Sequence, residues 1–248
     1  MAEINTSCSI RPNKRNQAVA QNYSDEEAEL HAQEVNAYPR PVTGTLVNGK
    51  PINEIDSRGE FIRQANSFIT PFGYNEGEIE PLPNRYVIYW ANFCNWSNRP
   101  VIVRDILGLT NIIADEPVLP TAVSNKYGWG FTKYKDHKDP ITGAYFLSEF
   151  YRNADKNYNG RATTPAIVDL KTKATVNNDY HRLTNYLEVK FRKYQPVDAP
   201  DLYPKAYRKE IDEFNDWLFP HVNNGHYRMA FAQEVEPFDE HMNIFMIH

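Results

Sequence analysis

The chain has 248 residues, with 27 Lys and Arg against 32 Asp and Glu, so the formal net charge is -5. A hydrophobic fraction of 41% is enough for a core, and the mild acidity argues against nucleic-acid and membrane-surface binders, which carry basic patches. Two cysteines are too few for a disulfide-stapled fold. No secretory signal and no stretch of membrane-spanning length is evident in the sequence. We therefore expect a cytoplasmic protein.

The first recognisable elements follow a long polar segment. Residues 1–59 are rich in Asn, Glu and Pro and are interpreted as a polar N-terminal arm. The segment 85–90 (RYVIYW) is β-branched and aromatic, which predicts a buried strand. Apolar residues then recur at helical spacing over 96–107, and Gly108 supplies a stop signal.

Strand and helix patterns keep alternating along the next ninety residues. They predict, in chain order, a strand over 112–119, a loop over 127–139, a helix over 144–154, strands over 165–170 and 175–177, and a helix from Asn178 or Asp179 to Tyr194. A βαβ unit followed by ββα is the thioredoxin-like order. The fold class is therefore α/β, with a thioredoxin-like domain over 60–195.

A second domain is predicted after a linker with three prolines at 195–204. An amphipathic helix begins it, with one apolar face formed by Tyr207, Ile211, Phe214 and Leu218. A second helix follows with seven large apolar residues: Tyr227, Met229, Phe231, Phe238, Met242, Phe245 and Met246. Little chain remains to cover them, so we expect self-association into a homo-oligomer, or poor solubility.

Cys94 lies between a predicted buried strand and the start of a helix. Unpaired N–H groups and the helix dipole stabilise a thiolate there, and a thiolate is the nucleophilic form. The alternative is that Cys94 is a small buried apolar residue, the usual fate of a lone cysteine. Since Ser97 stands where a second cysteine would be needed, any redox chemistry would be monothiol, with an outside thiol resolving the intermediate.

Two further sites begin secondary structure elements. Pro165 opens the third strand, where proline is tolerated anyway; in a thioredoxin-like order this is also the place of a cis-proline, which turns the backbone of Thr164 toward a peptide-like substrate. Asp179 and Tyr180 open the third helix. They either serve only as its cap or offer free N–H groups to a carboxylate, with the Asp179 side chain accepting an ammonium group.

Other chemistry has less support in the sequence. The seven histidines are scattered without metal-ligand spacing, so no metal site is predicted. A catalytic pair of Cys94 with His221 or His226 is conceivable, but no protease-like context surrounds either histidine. Cys8 lies in the polar arm and is interpreted as incidental.

An ordered set of short motifs carries a family resemblance over residues 60–232. The set comprises Arg85-Tyr86, Phe93-Cys94-Asn95-Trp96-Ser97-Asn98-Arg99, Gly128-Trp129-Gly130-Phe131, Tyr158-Asn159-Gly160-Arg161, Thr164-Pro165, Val176-Asn177-Asn178-Asp179, Asp201-Leu202-Tyr203-Pro204, Ile211-Asp212 and Val222-Asn223-Asn224-Gly225 with Tyr227. With these motifs the chain resembles the glutathionyl-hydroquinone reductases, the Xi class of glutathione transferases. The resemblance implies that residues 196–248 are the beginning of an all-α glutathione-transferase C-terminal domain, left incomplete at His248.

The resemblance also implies an activity, with glutathione as co-substrate and glutathionylated quinone-type molecules as substrates. Cys94 would attack the sulfur of a glutathionyl-hydroquinone, and a second glutathione would resolve the mixed disulfide. Four residues match positions that hold glutathione in the family: Trp129, Thr164, Asp179 and Tyr180. Pro165 belongs with them as the cis-proline, and Tyr227 matches a tyrosine beside the hydroquinone.

Several residues depart from the family pattern. Asn95 replaces a proline after the cysteine, Tyr180 replaces a serine, and Pro100 and Pro220 lie inside helical segments. These departures leave a second hypothesis open: a non-catalytic or weakly active glutathione-transferase-like binding protein. An unrelated thioredoxin-like module that binds a partner protein is a third hypothesis, disfavoured by the Asn223-Asn224-Gly225 motif.

Overall fold

The computed structural model describes residues 46–47, 50–51, 54–120 and 128–247. Most of the predicted N-terminal arm, including Cys8, lies outside the described residues. Two short strands, β1 (Leu46–Val47) and β2 (Lys50–Pro51), pair in antiparallel fashion ahead of the main fold. Within the described ranges, no helix combines the length and the apolar character needed to cross a membrane.

A four-stranded sheet forms the centre of what we call the α/β part, residues 86–189. Its elements in chain order are β3 (Tyr86–Trp90), α1 (Asn95–Ile106), β4 (Ala114–Pro117), β5 (Leu119–Pro120), β6 (Trp129–Gly130), α2 (Leu147–Ala154), β7 (Ala166–Asp169), β8 (Ala174–Asn177) and α3 (Leu183–Val189). The strand order is β4-β3-β7-β8. Strand β3 is parallel to β4 and antiparallel to β7, and β8 is antiparallel to β7. The predicted thioredoxin-like order is confirmed.

The two central strands are buried on both faces, which is why β3 is a continuous apolar run in the sequence. Because side chains alternate along a strand, Val87 and Tyr89 pack into one cluster with α2, while Tyr86 and Ile88 pack into another with α1 and α3. The sheet therefore has a helical layer on each face.

Two predicted boundaries in the middle of the chain are wrong. The loop predicted over 127–139 contains β6, which pairs with β5. Helix α2 begins at Leu147 rather than at 144, because Phe146 is still extended and bridges to Gly130. The Glu149 carboxylate accepts the backbone N–H groups of Tyr145 and Phe146, which satisfies two donors at this helix start.

The predicted start of the third helix is also wrong. Helix α3 begins at Leu183, and its N-cap residue Arg182 makes no side-chain capping bond. Asn178 does not cap the helix because both its backbone N–H and its side-chain oxygen are bonded to the backbone of Phe68. Residues 178–182 form a turn fixed to an earlier segment of the chain.

We call residues 205–247 the helical part. After a 3-10 turn at Lys205–Tyr207, it contains α4 (Arg208–Leu218), a π-helical segment (Phe219–Asn223), α5 (Gly225–Phe231) and α6 (Val235–Ile247). The π-helical segment contains Pro220, which has no N–H for an α-helical bond. The second helix predicted from the apolar residues is in fact two helices, separated where Gln233 donates to the carbonyl of Gly59.

Candidate active site

Five of the predicted site residues line one cavity of about 110 Å³. They are Cys94, Trp129, Thr164, Tyr180 and Tyr227. Pro165 and Asp179 are the direct neighbours of Thr164 and Tyr180 but do not line the cavity. It is smaller than a cavity of roughly 150 Å³ that holds a benzene molecule in another protein.

Cys94 occupies the N-cap position of α1, as predicted. Its backbone is extended, and its carbonyl accepts the N–H groups of Ser97 and Asn98 at 2.9 and 3.0 Å. The side chain is half-buried, makes no capping hydrogen bond and is the free thiol among the described residues. The thiol thus lies beside the positive end of a twelve-residue helix, and Cys94 borders the cavity.

The pairing of β3 with β7 brings Thr164 to Cys94. Tyr89 near the end of β3 is opposite Ala166 at the start of β7, because the two strands are antiparallel. Cys94 follows the first strand and Thr164 precedes the second, so both reach the same edge of the sheet. The Thr164–Pro165 peptide bond is cis, which confirms the predicted position of a cis-proline.

Asp179 and Tyr180 are placed differently from the prediction. Their backbone N–H groups are not free: that of Asp179 donates to the side-chain oxygen of Asn177 at 2.9 Å, and that of Tyr180 donates to the carbonyl of Asn178 at 3.0 Å. The reason is the turn before α3. Tyr180 lines the cavity with its ring, which packs against Trp96 at a centroid distance of 4.6 Å, and burial raises the pKa of its hydroxyl.

Tyr227 comes from α5 and closes the cavity from the helical part. Its ring centroid lies 5.3 Å from that of Trp96, which is the second residue of α1. Burial and the charge of Cys94 raise the pKa of Tyr227, while Arg63 and Arg161 act in the opposite direction. The hydroxyl therefore stays protonated at neutral pH and lies within electrostatic range of the thiol.

Two arginines in the cavity wall were missed by the sequence analysis. The Nε of Arg63 donates to the side-chain oxygen of Asn224 at 2.6 Å, and its guanidinium carbon lies 4.4 Å from the ring centroid of Trp96 and 4.5 Å from that of Tyr227. Burial, followed by the charge of Arg161, lowers the pKa of Arg63 to about 10. It remains a cation at neutral pH.

Arg161 has its charge balanced by an acidic residue. Its Nη2 donates to Glu54 at 2.8 Å, and its backbone N–H donates to the side chain of Gln64. The motif Tyr158-Asn159-Gly160-Arg161 was available in the sequence, whereas Arg63 lies in a segment without helix or strand periodicity. Nothing in the pattern around Arg63 could have shown that it faces the thiol cavity.

A second, larger cavity of about 510 Å³ lies on the other side of the Trp96 and Tyr180 rings, which line both spaces. Its lining includes Arg99, Phe219 and His226. Neither His226 nor His221 lines the cavity that holds Cys94, so the structure does not bring the conceivable cysteine–histidine pair together. No group of three or more metal-ligating side chains occurs in the part of the chain that the structure describes.

Comparisons with known proteins give consistent results, although no family model matches the chain. It is 34% identical over 190 residues to "Glutathione S-transferase omega-like 2" of Schizosaccharomyces pombe, covering 75% of this chain and 60% of that protein. It is 32% identical over 197 residues to glutathionyl-hydroquinone reductase YqjG of Escherichia coli, covering 73% and 57%.

Solved structures agree with these relatives. The Xi glutathione-S-transferase from Phanerochaete chrysosporium superimposes with a TM-score of 0.71 at 31% identity, covering 78% of this chain and 62% of that one. The glutathione-bound structure of YqjG gives a TM-score of 0.64 at 28% identity, covering 73% and 61%. The chain spans about three fifths of the length of the relatives that it matches.

Proposed function

Since the chain belongs to the Xi-class glutathione transferase family, we propose that it reduces glutathionyl-hydroquinones by glutathione-dependent thiol transfer. The observation that carries the proposal is the position of Cys94. Its half-buried side chain lies at the N-terminus of α1 and borders a cavity with Thr164. The positive end of the helix and access from the cavity favour a reactive thiolate.

The reaction has two displacement steps. The Cys94 thiolate attacks the glutathione sulfur of the conjugate, an S–S bond forms, the C–S bond breaks, and the ring leaves as hydroquinone after taking up one proton. A second glutathione thiolate then attacks the mixed disulfide, which releases oxidised glutathione and restores Cys94. Tyr227 borders the ring and is protonated at neutral pH, so its hydroxyl is able to donate a hydrogen bond there.

Glutathione is proposed to lie along the edge of the thioredoxin-like domain, residues 60–195, with the ring of the conjugate facing the helical domain from residue 196. Trp129 and the backbone of Thr164 border the thiol, and Asp179 is the acceptor for the ammonium group. Tyr180 contributes its ring, since its N–H group is occupied. A cytoplasmic location stays a prediction.

The nucleophile is tested by mass spectrometry after mixing the protein with oxidised glutathione. We expect an adduct on Cys94 that reduced glutathione removes. Cys94→Ser should lose both the adduct and the turnover of a glutathionyl-hydroquinone, while Cys8→Ser, the matched control, should keep both. Alkylation of Cys94 by iodoacetamide at pH 7 no faster than that of an ordinary exposed thiol would contradict an activated thiolate.

The role of Asp179 is tested by calorimetry. Asp179→Ala should weaken glutathione binding by about 1–3 kcal/mol, because a hydrogen bond to a charged group is lost. Asp198→Ala removes an exposed carboxylate of the loop after α3 and serves as the control. Unchanged binding in Asp179→Ala would remove this residue from the proposed site.

One observation favours the second candidate, a binding protein without efficient turnover. The occupied N–H groups of Asp179 and Tyr180 offer a glutathione carboxylate fewer donors than the sequence predicts. The same mass-spectrometric experiment separates the two candidates. Glutathione binding by calorimetry, without a removable adduct on Cys94, would support the binding protein.

A further inference from the structure

Arg63 presents a buried positive charge to the cavity without a carboxylate partner. Its Nη2 atom is buried and makes no hydrogen bond, and no ion pair of Arg63 occurs among the described residues. Its Nε is fixed by Asn224, and the guanidinium lies against two aromatic rings. The position of Nη2 is therefore set by the protein rather than by a ligand.

The neighbouring charges make this arrangement unfavourable without an anion. Arg161 lines the same cavity, and its charge adds to the effect of burial in lowering the pKa of Arg63. Glu54 forms an ion pair with Arg161 and not with Arg63. A buried cation without a counter-charge is costly, and such groups are concentrated where a ligand or reaction intermediate supplies the opposite charge.

The thiolate of Cys94 is not the group that Arg63 contacts, since no hydrogen bond joins the two side chains. Besides Asn224, the guanidinium contacts the rings of Trp96 and Tyr227, and Tyr227 is also the residue that the proposed function places beside the aromatic ring of the conjugate. Arg63, Tyr227 and Cys94 line the same cavity. An anion that forms on that ring during the reaction would therefore lie within reach of the Arg63 guanidinium, which lines the cavity.

We propose that Arg63 binds the oxygen attached to the conjugate's ring next to the C–S bond. Arg63 then stabilises this oxygen as a phenolate when the C–S bond breaks. The inference rests on the proposed function and names the part of the substrate that the cation recognises. In the keto tautomer of the conjugate, attack by Cys94 forms the S–S bond, and the C–S bonding pair moves into the ring and appears on the neighbouring oxygen. That oxygen accepts a hydrogen bond from the Arg63 guanidinium and later takes up a proton.

A phenolate probe tests the anion site without turnover. The probe is 4-nitrophenol, whose phenol and phenolate forms absorb at different wavelengths, titrated into the full-length protein. Wild type should bind the phenolate in preference to the phenol, Arg63→Met should lose at least about tenfold in phenolate affinity, and Arg63→Lys should keep part of it. Arg192→Met, which changes an exposed arginine outside the cavity, is the matched control.

Turnover on two substrates tests whether Arg63 acts on the oxygen attached to the hydroquinone ring or has another role in the reaction. Removing one oxyanion donor lowers kcat about 10²- to 10³-fold in other enzymes. Arg63→Met should show a loss of that order on a glutathionyl-hydroquinone and less than about threefold on the mixed disulfide of glutathione with 2-mercaptoethanol, which has no ring oxygen. The rate of Cys94 alkylation in Arg63→Met should likewise change by less than about threefold.

Each contrary result has a defined meaning. Equal losses on both substrates, slower alkylation of Cys94, or unchanged phenolate binding in Arg63→Met would overturn the inference. Phenolate binding through Arg63 in a wild-type protein that turns over no glutathionyl-hydroquinone would instead refute the proposed function and leave the anion site standing. The Arg63→Lys variant keeps the test valid if Arg63→Met is poorly folded.

Discussion

The α/β part and the helical part are stabilised by different kinds of contact. Strand β7 is buried along its whole length, and both faces of the sheet are covered by apolar clusters. Helix α4, in contrast, has no buried residue, and Phe214 on it is 59% exposed. The helical part is attached to the rest of the chain by aromatic ring pairs, such as Trp96–Phe219, and by polar contacts. The clearest polar contact is that of Glu60, whose carboxylate is bonded to Arg228 and His241.

This difference matters because the thiol cavity has one wall from each part. Cys94 and Thr164 are fixed by the sheet and by α1, so their positions depend on close apolar packing. Tyr227 and Asn224, which positions Arg63, belong to the helical part and depend on how that part is attached. Weakening the attachment should therefore affect the side of the cavity that faces the ring before it affects the thiol.

The largest effect is expected from a substitution in the sheet. Ile88 is fully buried in the centre of β3, so Ile88→Ala should lower the free energy of unfolding by about 2–5 kcal/mol through lost packing and a cavity. Chemical denaturation measures the loss. Ile102→Ala, at a half-exposed position of α1, is the matched control and should cost far less. Equal costs would show that the burial of Ile88 in β3 does not contribute the expected stability.

The next effect in size is expected at Glu60. Glu60→Gln keeps the shape of the side chain but removes the ion-pair partner of Arg228, which should destabilise the attachment of the helical part by about 1–3 kcal/mol. Hydrogen exchange should become faster in α5 and α6 and stay unchanged in β3 and β7. Glu240→Gln removes an exposed ion pair with Arg58 between the same parts and should change little. Faster exchange in β3 and β7 as well would contradict a separate attachment.

The sequence predicted the α/β part well because its elements are strongly apolar and short. The apolar run at Tyr86–Trp90 predicts a strand, and the spacing of apolar residues after Cys94 predicts a helix, with few alternatives for either. The order of the elements then determines which strand ends lie at the same edge of the sheet. The cavity residues that follow from this order, Cys94 and Thr164, were found for that reason.

The remainder depended on contacts between residues distant in sequence. Asn178 looks like a helix cap, but its bonds to Phe68, about 110 positions earlier, delay α3 to Leu183. Arg63 is placed by Asn224, which is 161 residues away, and no local pattern encodes such a pair. Local capping rules and periodicity describe short-range preferences, and here tertiary hydrogen bonds override them.

The two parts should also respond to pH in opposite directions. Burial raises the pKa of Glu149 in α2 to about 7, so the folded state holds a proton that the unfolded state releases above about 4.5. Stability of the α/β part should fall as the pH rises from about 4.5 to 7, by at most about 1.4 kcal/mol per pH unit. Glu149→Gln keeps the acceptor for Tyr145 and Phe146 and should flatten this dependence. A slope that survives in Glu149→Gln would assign it to another group.

In the helical part the sign is reversed. Burial, followed by the charge of Arg228, lowers the pKa of His241 below its ordinary value of 6.5. The unfolded segment therefore binds more protons than the folded one as the pH falls below 6.5, and the attachment should weaken there. Hydrogen exchange in α6 at fixed pH steps, corrected for the intrinsic rate, measures this. His241→Gln should remove the dependence, and an attachment that weakens instead as the pH rises would contradict the assignment.

The smallest effect on stability is expected at the exposed aromatic residues of the helical part. Phe214→Ser should change the free energy of unfolding by no more than about 0.5 kcal/mol, because the ring is already 59% exposed and loses little burial.

The effect of Phe214→Ser on association between copies of the chain should be larger. Tyr207, Trp217, Phe238 and Met246 are also exposed in this part, and exposed apolar surface of this kind favours contact between copies. Size-exclusion chromatography over a concentration series should show self-association of the wild type that Phe214→Ser reduces. Ile69→Ser, a change of similar exposure outside the helical part, should not reduce it. A wild type that stays monomeric at every concentration would mean that these apolar residues stay exposed to solvent. The weak packing of α4 would then have no consequence for assembly.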